Sequence, residues 1–192
     1  MNLNELIKKV GGNKAEWRQA SGGGWLHKSA IVEDESKIIG QAIVWGHVLG
    51  NARVSGDAQV SGGARVSGDA RVSGGAQVFG NAQVSGNAQV SGDAQVSGGA
   101  WVSGGAWVFG NAQVSGDARV SGGAWNKTPL FIIGSRYSLT NAKHGYIQIG
   151  CKCETFAWWK AHGLALARKE KFSKEEIAEY RAYITLFTKI GK

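Results

Sequence analysis

The sequence predicts a mainly β protein: a solenoid of short strands on a six-residue repeat, preceded by a short cap and followed by a small α+β region. Three observations predict it. From Val48 to Trp125 the unit Val-Ser-Gly-(Asp, Asn or Gly)-Ala-(Arg, Gln or Trp) recurs without a gap, its serine replaced only at Leu49, Phe79 and Phe109. Thirty glycines stand against one proline, Pro129, and they do not recur every third residue, which excludes collagen. The hydrophobic fraction of 43% excludes disorder for want of core material.

Residues 1–25 form the cap. Asn4 to Val10 reads as a short helix stopped by Gly11-Gly12, Glu16 to Ala20 as a strand, and Gly22-Gly-Gly24 as the entry to the first coil. Residues 26–125 form the solenoid. Within a unit, Ala-Arg-Val-Ser alternates inward and outward as a strand requires, with alanine and valine inside. Glycine and the residue after it make the corner, because they tolerate positive φ. An amphipathic helix is excluded, since a glycine at every sixth position would weaken each turn. Looser copies of the unit begin at Leu26, Val32 and Ile38, and Val44-Trp-Gly-His47 is a unit shortened to four residues, so the register slips there.

After Pro129 the period changes, and residues 126–192 form a C-terminal α+β region, a hairpin plus two helices. Leu130 to Ser138 and Gly145 to Gly150 read as two strands joined across Asn141-Ala-Lys-His144. Thr155 caps a helix running to about Arg168. Ser173-Lys-Glu-Glu176 is a capping box for a second helix, with an apolar stripe of Ile177, Tyr180, Ile184 and Phe187 and a stop at Gly191.

The aliphatic residue followed four positions later by a small one resembles the hexapeptide-repeat left-handed β-helix proteins. That resemblance implies triangular coils of three units, about five and a half of them at ~4.8 Å each, with residues 18 apart stacked. It also implies self-association, a trimer first. Outward residues then fall into columns. The first face carries Arg53, Arg71, Gln89, Trp107 with Phe109, and Trp125; the second carries Gln59, Gln77, Gln95 and Gln113; the third carries Arg65, Gln83, Trp101 and Arg119. Trp107, Phe109 and Trp125 are expected to form one exposed aromatic patch, with Arg53 and Arg71 further along, and exposed aromatic patches mark contact surfaces.

The net charge of +8 is uneven. The solenoid proper is balanced, and the excess lies in residues 126–192, where Lys160, Arg168, Lys169 and Lys171 are the basic-tail candidates. Cys151 and Cys153, one residue apart, match no zinc knuckle and no disulfide framework, so neither metal nor cofactor is expected. There is no apolar run of signal or membrane-spanning length, and a cytoplasmic location is expected, with no membrane partner.

The Gly-Gly-Gly-Trp25 entry, the repeats, and a tail containing Gly145-Tyr-Ile-Gln-Ile-Gly-Cys151 and two helices together resemble small proteins encoded by bacteriophages and prophages. This implies a viral accessory role, such as countering bacterial defence. The leading expectation is a non-enzymatic binding protein that sequesters an anionic, nucleotide-like ligand or occludes a host protein, using the aromatic corner with Arg53 and Arg71, the basic tail, and Trp101 and Arg119 on the third face. The alternatives are an acyltransferase with His47 as its general base, and a self-associating structural protein. Duplex DNA is a poor fit, because the coils are neutral and there is no recognition helix.

Overall fold

The computed structural model describes residues 1–191. It is a β-solenoid of about 6 turns followed by a region of two helices and a sheet. Each unit supplies a two-residue strand and a turn, and three units close a coil. The three faces are parallel sheets of five, seven and six strands; the seven include one antiparallel edge strand, Trp17–Gln19. Residues 18 apart pair as the resemblance implies, with Gln59, Gln77, Gln95 and Gln113 in one ladder and Arg65, Gln83, Trp101 and Arg119 in another.

Local chemistry explains the shape. The inward alanines and valines are buried from Ala52 to Val120, and each valine side chain removed from water contributes about 1.5–3 kcal/mol. At a typical corner the Ala76 amide donates to Ser73 O at 3.4 Å, and Gly74 takes φ 69°. A Cβ on Gly74 would come within 3.0 Å of Gly92 N in the next coil, so this corner excludes a side chain twice over. The shortened unit closes as read: pairs straddling it, such as Ile31↔His47 and Ile43↔Gln59, are 16 residues apart rather than 18.

The first coil begins one residue earlier than expected, because Trp25 already pairs with Ile43. Helix α1 (Leu3–Val10) rests on the outward side of that coil, where Leu6 packs with Trp17, Trp25 and Ile43. Strand Trp17–Gln19 runs antiparallel to Trp25–His27 and blunts the open edge.

The far end brings a correction. Trp125 is not on the exposed patch; it pairs with Val108, points inward and is 3% exposed. The positive-φ corner there moves from the expected Gly122 to Gly123, so the strand shifts by one residue and Ala124 faces out. The physical reason is that polar Asn126 stands where the next valine would be. An indole fills the end of the core instead, its N–H satisfied by Gly122 O at 2.8 Å. Phe131 packs against the same end.

Beyond it lies an antiparallel meander of Phe131–Ile133, Ser138–Lys143, Tyr146–Ile149 and Lys152–Thr155. This also corrects the expected hairpin. Ser135 to Tyr137 turns rather than extends, Asn141 to Lys143 belong to a strand, the turn falls at His144-Gly145, and the last strand adds an unforeseen partner. Thr140, and Gln148 paired with it, share one side of the sheet. Thr140 Oγ1 accepts from Arg119 N at 3.5 Å and Ala142 O accepts from Ser121 N at 2.8 Å, which ties the meander to the last coil. Leu139, Ile147 and Ile149 pack against α2 (Phe156–Lys169) and α3 (Lys174–Ile190) through Trp159, Ile184 and Phe187. Thr155 and Ser173 cap the two helices as expected.

Candidate functional site

The meander and the solenoid do not close flush. Trp101 and Arg119 are neighbours on the last two strands of the third face, with the Arg119 guanidinium carbon 5.4 Å from the indole centroid and the indole 45% exposed. Opposite them stand Arg136, Tyr137 and Gln148 of the meander, and together they line a cleft of about 430 Å³. Asp117 lines it too, so its walls carry two guanidiniums against one carboxylate.

Helix α3 positions the meander half. The Tyr180 hydroxyl accepts from Arg136 N at 3.0 Å and from Tyr137 N, and donates to Tyr137 O at 2.8 Å. Glu179 accepts from Ser135 N at 2.8 Å and from its hydroxyl at 2.6 Å, and the hydroxyl bond, first, holds that carboxyl below the usual glutamate range. The Arg136 side chain lies 4.6 Å over Phe172 and 3.7 Å from Glu176. Its planar fork has more N–H groups than that one ion pair uses. An indole beside guanidinium groups suits a planar ring and an attached anion.

The remaining candidates are dispersed. Trp107 stacks on Phe109 at 4.5 Å and donates to Ser91 Oγ at 3.0 Å, on the first face. Arg71 stands two strands away and Arg53 three, roughly 9.5 and 14 Å along the axis. Arg168 and Lys169 occupy the last turn of α2, where cations complement the helix dipole, and Lys171 follows in the link with φ 57°. Lys160 lines a groove between α2 and α3. None of these lines the cleft. His47 sits on the third face between Ile31 and Arg65. Cys151 is exposed on the meander's last turn, and burial pushes the neighbouring Cys153 thiol up. Among the described residues no three His, Cys, Asp or Glu side chains gather as metal ligands would.

Arg136 and Tyr137 escape the sequence reading because they fall within Leu130 to Ser138, which reads as one continuous strand. Gly134-Ser135 was the available turn signal.

A family model described as the YdcK beta solenoid repeat matches residues 64–80, 76–92, 82–98, 88–104 and 112–126. All but residue 126 of these lie in the coils. The chain is a repeat β-helix protein. No curated protein and no solved structure matches it. The repeat match therefore reaches the Trp101 and Arg119 half of the cleft in part, through the segments ending at 104 and 126, and leaves the meander half outside it. No helix among the described residues is long and apolar enough to cross a membrane.

Proposed function

We propose that this chain is a non-enzymatic binding protein whose ligand, an anion carrying a planar or apolar group, occupies the cleft between the third face and the meander. The observation that carries the reading is the Arg119 guanidinium over the exposed Trp101 ring, faced by Arg136 and Tyr137. The balanced charge of the coils supports it, because an anion then finds its attraction at the junction rather than along the rod. The resemblance to phage-encoded proteins supports a viral accessory role in the host cytoplasm, in which a nucleotide-like signal is sequestered.

Calorimetry of the full chain with cyclic dinucleotides, ADP-ribose and mononucleotides tests this. Saturable binding accompanied by quenched tryptophan fluorescence is expected for at least one of them. Flat titrations with the whole set would sink the nucleotide version.

A second reading has its own observation. The stacked Trp107–Phe109 pair leaves Trp107 44% exposed on a flat face, which suits a protein surface, either a host protein or a sister subunit. Native mass spectrometry of wild type and Trp107→Ala separates this from the cleft. Loss of an assembly on substitution supports the sister-subunit version, and an unchanged monomer removes that version.

A further inference from the structure

A second cavity, of about 270 Å³, lies between the meander, α2 and α3. Its walls are apolar, formed chiefly by Ile149, Trp159, Leu166, Phe172 and Ile184. It does not stand apart from the cleft: Tyr137, Gly150 and Cys151 line both. The two-residue turn Gly150-Cys151 is the divider, and the Tyr137 ring lies on its backbone. A Cβ on Gly150 would come within 3.2 Å of that ring. The apolar hollow and the cleft thus adjoin across this turn, and Arg136, which lines the cleft, lies 4.6 Å over Phe172 on the wall of the hollow.

Gly163 argues that the hollow is more than loose packing. It sits inside α2 on the cavity wall, where glycine weakens a helix by about 1 kcal/mol relative to alanine. A Cβ there would meet Ile184 and Trp159 at 3.6 Å, an ordinary contact, so space does not demand the glycine. Gly163 also borders the groove beside Lys160, so a side chain there would narrow the space between α2 and α3 on which the hollow depends.

We propose that the ligand is a small amphipathic anion, with its apolar part in this pocket and its acidic group on Arg119 and Arg136. This rests on the cleft reading and deepens it. Since a cavity of ~150 Å³ takes benzene, this one takes an apolar unit on the order of ten carbon atoms, a fused ring pair or a medium alkyl chain. The exposed Cys151 thiol, at the divider, reports occupancy.

The test uses the full chain, with octyl phosphate and inorganic phosphate as probes. Octyl phosphate should bind at least about tenfold more tightly than phosphate, the burial of the chain supplying the difference. It should also slow alkylation of Cys151 in the wild-type protein several-fold. Gly163→Leu, which adds bulk at the pocket wall and raises helix propensity, should abolish the advantage of the octyl chain. Gly163→Ala serves as the milder variant if the leucine disturbs folding, and should lower the advantage in part. No binding of octyl phosphate, or no protection of Cys151, overturns the proposal. If phosphate or a nucleotide binds through Arg119 while Gly163→Leu and Gly163→Ala change nothing, the amphiphile fails and the cleft stands. If Arg119→Ala leaves octyl phosphate binding unchanged, the cleft reading fails with it.

Discussion

The solenoid and the C-terminal region solve the problem of a core in opposite ways. In the solenoid a residue's environment follows from its place in a unit of six: alanine and valine are inside, the corner glycine carries positive φ, and the rest is out. In the C-terminal region the environment follows from contacts distant in sequence, such as Tyr180 holding the turn at Tyr137 across 43 residues. Repetition makes a rigid surface but few distinctive places on it. Distinct chemistry arises where repetition ends and irregular chain is laid against it.

The contrast breaks most visibly at the joint. Trp125→Ala should cost about 3–5 kcal/mol, because it empties the end of the core and removes the surface on which His144 and the meander rest. Chemical denaturation should show a lower midpoint, and hydrogen exchange should rise first at the last coil. A smaller loss is expected in the repeat itself. Gly74→Ala should cost about 1–3 kcal/mol through its positive φ and the close approach of Gly92. Gly105→Ala, with ordinary φ and open space around it, should stay within about 0.5 kcal/mol of wild type. Equal melting shifts for the two variants would contradict the account of the corners.

The C-terminal region sharpens the comparison from the other side. Tyr180→Phe removes the hydroxyl that serves Arg136 N, Tyr137 N and Tyr137 O, and should cost about 1–3 kcal/mol. Ligand affinity at the cleft should fall in step, whereas the Gly74 variant should leave it intact. The smallest effect is a pH dependence. Glu179 is held below its ordinary range in the folded chain by Ser135, so its contribution is present above the unfolded glutamate pKa. It is lost as pH falls through the depressed folded value. Melting curves across the acidic range should show a shallower loss of stability for Glu179→Gln than for wild type.

The sequence made the repeat plain because every unit restates it: period, corner glycines and the slip at Val44–His47 follow from local rules, whereas stacking by 18 came from the family resemblance. The helix caps at Thr155 and Ser173 were legible for the same reason. Trp125 was not, since its position in the unit says outward and only the absence of a following valine says otherwise. The site was half legible. Trp101 stood out as a departure from the repeat, and Arg119, an ordinary repeat residue of the same column, does lie beside it, but Arg136 and Tyr137 reach them through a turn that α3 imposes. No six-residue rule could place that turn, and Arg53 and Arg71, which the rule did place, lie too far along the axis to join Trp107.

The most direct measurement compares two arginines on the same solenoid. Calorimetry with whichever anion binds the wild-type chain, repeated on Arg119→Ala and Arg53→Ala, tests whether specificity sits at the junction. The junction account predicts about a ten- to hundredfold loss for Arg119→Ala, as for a charge-assisted hydrogen bond, and none for Arg53→Ala. An unchanged affinity in the first variant, or a comparable loss in the second, would contradict it.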